Sequence, residues 1–217
     1  MQEYLRETEF FDVNSKFIQD TIRNLELDGL SDIEVAKKLF YHVRDSIRYS
    51  IKPVNLEKIT YTASHVLQQE RSFCIPKAIA LGTLARAAGI PSRIHFVDFI
   101  NHRLSDDLQK MWGTKVMAAH CYTELYLDNK WVKATPALDK AICDRHNFKT
   151  VEFDGYTDAL LHKVDRSGNP HAEYIKDRGT QSDMSLRLVA EVFNEVYGGI
   201  NEDFMDENFK AAKTLFN

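Results

Sequence analysis

Hydrophobic positions recur at helical spacing in two early segments. In residues 14–27 the apolar Phe17, Ile18, Ile22 and Leu25 fall three or four apart, which predicts an amphipathic helix stopped by Gly29. Ser31 followed by Glu34 has the spacing of a capping box. It opens a second helix that runs to about Arg48, turns Val35, Leu39, Phe40, Val43 and Ile47 inward, and is closed off by Pro53. A short helix is expected over 62–69. Residues 78–88 are small and apolar with no polar stripe, the pattern of a buried helix. Ser72 suits its N-cap, Pro76 is tolerated only in its first turn, and Gly89 supplies the left-handed stop. Cys74 therefore falls in the first turn of a buried helix.

The period then changes to two. Residues 92–99 alternate as a strand, 101–115 are polar and read as a loop with one helical turn, and 116–127 and 131–135 read as strands. Asp128, Asn129 and Lys130 join the last two as a tight hairpin. Residues 148–179 are punctuated by Gly155, Gly168, Pro170 and Gly179 and are expected to be irregular. Two further helical patterns cover 186–197 and 202–216, and the acidic run 201–208 reads as a solvated face. Helices, a central helix, an antiparallel sheet and more helices make an α+β protein rather than an alternating α/β one. A single domain over 1–217 is expected, with a core over about 31–147 and a C-terminal extension over 148–217.

Composition narrows the function. The chain has 217 residues, 44% hydrophobic and 28% charged, so a packed core is affordable, and a formal charge of −4 argues against a nucleic-acid or anionic-membrane binder. The first eleven residues carry Glu3, Glu7 and Glu9 and lack a basic-then-apolar leader, so a cytoplasmic protein is expected. Three cysteines, Cys74, Cys121 and Cys143, are too few and odd in number for a disulfide framework. Cys143 and His146 lie one helical turn apart, but the paired short spacings of a structural zinc site are missing. A helix with Cys143 inward and His146 on its outer edge is expected there.

A thiol attacks as thiolate, and the unpaired N–H groups and positive dipole end of a helix's first turn lower its pKa. The same N–H groups can hold the oxyanion formed at an attacked carbonyl. His120, fixed on a strand near the hairpin, is the matching base. Such a thiol–imidazole pair is the apparatus of acyl transfer. Taken alone, Cys74 reads more readily as core packing than as a nucleophile.

At these residues the chain resembles a known family. Phe73-Cys74-Ile75-Pro76-Lys77-Ala78, followed by Leu84-Ala85-Arg86-Ala87-Ala88-Gly89-Ile90-Pro91-Ser92-Arg93, is similar to the cysteine motif of the transglutaminase-like superfamily. His120-Cys121-Tyr122-Thr123-Glu124-Leu125-Tyr126-Leu127 resembles its histidine strand, and Asn129 to Pro136 its third motif. The resemblance spans roughly residues 39–138. It implies a papain-like, transglutaminase-like core with Cys74 as nucleophile and His120 as base. It also implies a thiol-dependent hydrolase or acyltransferase acting on a peptide or protein amide, of protease, deamidase or transglutaminase type. No cofactor, metal, nucleic acid or membrane is implied, and the oligomeric state stays open.

The family's histidine-orienting aspartate falls on Thr135. A two-residue loop at Asn129-Lys130 would place Thr135 opposite Glu124, on His120's side of the sheet, and Asp139 opposite His120 if the chain stayed extended past Pro136. A three-residue loop would turn Thr135 away. Thr135, Asp139, a tail carboxylate such as Asp154, or no group at all therefore remain open as the third member. A descendant of the fold that binds a peptide or protein partner without catalysis is the alternative. Trp112 and Tyr61 are candidates to cover the thiol, Trp131 is expected in the core, and Phe10, Phe11 and Phe17 are expected to anchor the N-terminal segment. His162 and His171 are expected to be solvated or to line a groove. Glu124 is expected to pair with Arg93 or Lys133 or to tune His120.

Overall fold

A computed structural model describes residues 1–51 and 55–198, except the side chain of Met111. Pro53, the pattern over 202–216 and the acidic run lie outside the described residues. Seven α-helices and six strands are described: α1 Lys16–Asn24, α2 Asp32–Ser46, β1 Arg48–Tyr49, α3 Ala63–Val66, β2 Arg71–Ser72, α4 Cys74–Ala87, β3 Ser92–Asn101, α5 Asp106–Trp112, β4 Val116–Leu127, β5 Lys130–Ala134, α6 Lys140–Arg145, β6 Ala172–Gln181 and α7 Leu186–Tyr197. Among them no helix is long and apolar enough to cross a membrane.

Local chemistry explains most of these boundaries. Ser31 and Glu34 form the reciprocal capping box of α2, Ser31 N–H donating to Glu34 Oε2 at 2.9 Å. The β4–β5 turn is Asp128-Asn129, both at positive φ, so Leu127 pairs with Lys130 and Thr123 with Ala134. The register is shifted from the expected one, but its parity is kept, and Thr135 follows on the side of Tyr122 and His120. Residues 106–112 make two turns of helix rather than one, capped by Ser105.

β6 is the largest departure from expectation. It pairs antiparallel with β3 and completes a four-stranded sheet of order β5-β4-β3-β6. Its register slips beside Gly179, which stands at φ +86° opposite Phe96.

α4 is buried nearly all round and packs on β4 and β3. The Thr123 hydroxyl donates to Ala78 O at 2.7 Å, pinning the helix to β4. At Gly82 a Cβ would stand 2.8 Å from Phe11, so only glycine lets the N-terminal segment close over the helix. Phe10 and Phe11 are buried anchors, whereas Phe17 is exposed. Arg86 lies over the Phe11 ring at 3.9 Å and donates to the carbonyls of Arg6, Ser92 and Ser182, tying three segments to the end of α4. Trp131 is only half-buried, sandwiched by Tyr4, Tyr126 and the Arg93 guanidinium on the sheet's outer face. Glu124 accepts from both Arg93 and His95 on that face, where a partner in His95 was not foreseen.

Candidate active site

Cys74 is the first residue of α4, and Phe73, in extended conformation, is its N-cap. Ser72 is not the cap. It belongs to β2, pairs with Tyr49, and its carbonyl accepts from Ser50 N at 2.9 Å. No side chain caps the helix start, so its amides face the sulfur. The Cys74 thiol lies against the N–H groups of Cys121, Ile75 and its own residue, which favour the thiolate. Burial outweighs them and pushes the thiol up to about 11, the reverse of the expected lowering. Of the three cysteines Cys74 alone is half-exposed, while Cys121 and Cys143 are fully buried.

The Cys121 amide beside that sulfur belongs to the residue after His120, so β4 brings the histidine segment to the mouth of α4. His120 is buried, edge-on to Phe99 at 5.0 Å between ring centroids and 6.3 Å from Tyr174. Burial lowers its pKa to about 3, so the resting ring is neutral. Its Nε2 is buried and has no hydrogen-bond partner among the described residues.

The residue before it, Ala119, stands at φ +52°, where the β3–β4 register slips. Asp98 holds that bulge: its Oδ1 accepts from Ala119 N at 3.0 Å, and its Oδ2 accepts from Arg178 Nε and Nη2 at 3.0 and 2.6 Å. Sequence reasoning gave Asp98 no role, although a carboxylate between Val97 and Phe99 on an apolar strand was a visible signal.

The candidates for a third member are spread apart. Thr135 is fully buried, and its Oγ1, beside the Tyr174 hydroxyl, makes no hydrogen bond of ordinary geometry among the described residues. Tyr174 comes from the unforeseen β6, and its hydroxyl accepts from Leu161 N at 3.2 Å. Asp139 serves instead as the N-cap of α6, accepting from Ile142 N at 3.1 Å and from Tyr49 N at 2.6 Å. Pro136 ends the extended chain, so Asp139 never comes opposite His120. Asp154 is exposed and closes a turn through the N–H groups of Tyr156 and Thr157.

A cavity of about 130 Å³ opens beside His120, with Tyr49, Leu138, Phe148 and His171 among its walls. His171 is buried, and His146 also lines the cavity rather than the solvent edge. His162 is half-buried and hydrogen-bonds Thr150 O. Tyr61 is buried edge-on to Phe73 near the thiol, and Trp112 packs against Tyr197 away from the cavity walls. Among the described residues no three His, Cys, Asp or Glu side chains are grouped to hold a metal ion.

The model of the transglutaminase-like superfamily matches residues 19–136, more than half of the chain, from within α1 to just past β5. The chain belongs to the transglutaminase-like superfamily. The matched span takes in Cys74, which opens α4, and His120, on β4 of the antiparallel sheet. Membership supports a thiol-dependent hydrolase or acyltransferase in general terms and leaves the reaction type open. No curated protein matches the chain. Among solved structures, a protein from Cytophaga hutchinsonii provisionally called a cysteine protease is similar, with 14% identity, a TM-score of 0.45, and coverage of 83% of this chain and 46% of the other. This transglutaminase-like chain thus spans just under half the length of that structure.

Proposed function

We propose that this protein is a thiol-dependent amide hydrolase in which Cys74 is the nucleophile and His120 the general base. One observation carries the reading. Cys74, the one cysteine that is not fully buried as a residue, stands at an uncapped helix start with its sulfur against the amide that follows His120. Cys74 Sγ attacks the amide carbonyl carbon as His120 takes the thiol proton. The new oxyanion is held by the N–H groups of Ile75 and Cys121. Collapse breaks the C–N bond, and the proton passes from His120 to the leaving amine. Water then adds to the thioester, releasing the acid and restoring the thiol. An amine in place of water would give a new amide.

The neutral resting pair gives the reaction its form. A thiol raised by burial and an imidazole lowered by burial do not exchange a proton before substrate arrives, so transfer accompanies attack. Peptide amides are the substrate class of this reading.

Thr135 lies beside the Tyr174 hydroxyl, and the Tyr174 ring is 6.3 Å from the His120 ring. A hydroxyl can accept from the ring N–H but cannot stabilise an imidazolium as a carboxylate does.

The same opposed pKa shifts favour a second reading, a peptide-binding protein without turnover. Iodoacetamide labelling followed by peptide mapping separates the two. The enzyme reading expects Cys74 to be labelled well ahead of Cys121 and Cys143, at a rate that falls at least tenfold in His120→Ala. It also expects release of amine from a peptide-amide mixture that is lost in Cys74→Ala. Labelling of Cys74 that ignores His120, with no amine released, would leave only the binding reading.

A further inference from the structure

Two consecutive amides just before His120 are held by side chains rather than by the strand ladder. The β3–β4 pairing passes from Val97–His120 to Phe99–Met117 and leaves out Ala118 and Ala119. Asp98 takes the Ala119 N–H. The Ala118 N–H donates to the hydroxyl of Tyr197 at 2.8 Å, and that hydroxyl donates in turn to Val116 O, also at 2.8 Å. One phenol thus grips the strand on both sides of Met117. A hydroxyl suits this task because it accepts and donates at once, and backbone groups that drop out of a ladder at a bulge need such partners.

Tyr197 is the last residue of α7, in the C-terminal extension. Its ring lies edge-on to Phe193 at 5.0 Å and 6.1 Å from Trp112 on α5. Two residues earlier, Glu195 accepts from Arg178 Nη1 and Lys176 Nζ on β6, each at 2.6 Å. Arg178 is the guanidinium that also holds Asp98. The supports of Ala118 and Ala119 are therefore joined: the last turn of α7 supplies the first directly, and through Glu195 and Arg178 it steadies the second. The bulge sits inside a closed frame of α7, β6, β3 and β4.

This frame bears on the chemistry because a bulge re-aims the side chains that follow it. His120 comes next, and then the Cys121 amide that lies against the Cys74 sulfur. The imidazole and one oxyanion donor thus take their direction from the segment that Tyr197 grips. A misplacement of about 1 Å at such groups can cost about a hundredfold in rate.

We propose that Tyr197 is a positioning residue for His120 and the Cys121 amide, its hydroxyl locking the β4 bulge and making α7 a working part of the site. The proposal rests on the reading of Cys74 and His120 as the reacting pair.

The test compares two variants on α7. Tyr197→Phe removes the hydroxyl and keeps a ring against Phe193 and Trp112. Val189→Ala trims the buried face of the helix two turns away and leaves the hydroxyl in place. Each is followed by urea unfolding, by iodoacetamide labelling of Cys74 from pH 6 to 8, and by NMR of the histidine ring nitrogens. Tyr197→Phe is expected to slow Cys74 labelling at least fivefold in folded protein and to shift the His120 signals. Val189→Ala should label within twofold of the unsubstituted chain despite its lower stability. Unmoved His120 signals in Tyr197→Phe would overturn the proposal. So would an equal slowing in Val189→Ala, which would make the effect one of general loosening. Shifted His120 signals, with Cys74 labelling that is also indifferent to His120→Ala, would keep Tyr197 as the support of the ring and overturn the reading of the reacting pair instead. Should Tyr197→Phe fail to fold, hydrogen exchange of the unsubstituted protein decides. The Ala118 amide is expected to exchange as slowly as the paired amides of β4, and exchange as fast as an exposed amide would overturn the proposal.

Discussion

Asp98 Oδ1 accepts the N–H of Ala119 at 3.0 Å, and Ala119, at φ +52°, is the residue through which the chain enters His120. A left-handed conformation costs an alanine about 1–2 kcal/mol, so the bulge persists because something holds it. The carboxylate does so from the neighbouring strand, itself fixed by the forked guanidinium of Arg178, which also pairs with Glu195 on α7. The imidazole's position therefore depends on β3, β6 and α7 as well as on its own strand.

Replacing Asp98 should uncouple stability from position in a measurable way. Asp98→Ala leaves Arg178 buried with only Glu195, and breaking a buried pair of this kind costs about 3–5 kcal/mol. Urea unfolding should show a loss of that order, and Cys74 labelling should slow towards the His120→Ala rate in protein that is still folded. Asp98→Asn keeps an acceptor for Ala119 N–H. It should lose stability but retain most of the labelling rate. Equal labelling losses in the two variants would show that the bulge does not position the ring.

A carboxylate at position 135 should change the pair itself. Thr135→Asp puts a buried anion beside Tyr174, whose ring lies 6.3 Å from His120, which would raise the imidazole pKa from about 3. It should speed Cys74 labelling most between pH 6 and 7, measured as a pH–rate profile, at a cost in stability from burying the charge. Thr135→Val removes the hydroxyl but keeps the shape. A change of less than twofold in that variant would show that the present hydroxyl contributes little.

Much of this architecture was legible because local chemistry and tertiary packing agree. The Ser31–Glu34 box, the all-apolar face of α4 and the period-two pattern of β4 each specify their element without outside help. β6 was hidden because it is an edge strand. Its residues Glu173, Lys176 and Asp177 point charge to solvent, and Gly179 sits at a slip in register, so alternation and composition both argued for loop. The placement of Cys74 at a helix start and of His120 on a strand was legible through their motifs. Tyr174 could not be, since it reaches the site only once β6 docks on β3. His171 was expected to be solvated or to line a groove, and its burial follows from the stack on Phe148, a contact no local pattern encodes.

Two buried bases should give the stability curve opposing slopes. His95 is lowered by burial, but its ring nitrogens bond Glu124 and Asp177 at 2.7 Å each, and these contacts win and raise its pKa. Its contribution is fully present below the unfolded value of ~6.5 and is lost as pH rises through the higher folded value. Lys77 is the reverse. Burial drives it down to about 7 against the pull of Asp139 and Asp45, and Nζ donates to the carbonyls of Arg44 at 2.9 Å and Ile47 at 2.5 Å. Between about 7 and the unfolded ~10.4 the unfolded chain binds more protons, so this group's contribution grows with pH.

Urea unfolding of His95→Gln and Lys77→Met at pH 6, 8 and 10, each read as a difference from the unsubstituted protein, isolates the two terms. The His95→Gln deficit should shrink as pH rises. The Lys77→Met deficit should begin at about 1–3 kcal/mol from two carbonyls left without a donor and widen towards pH 10. A Lys77→Met deficit that stays flat across this range would mean the amine remains charged in the folded protein, held there by Asp139 and Asp45, and the neutral environment assigned to this turn of α4 would be wrong.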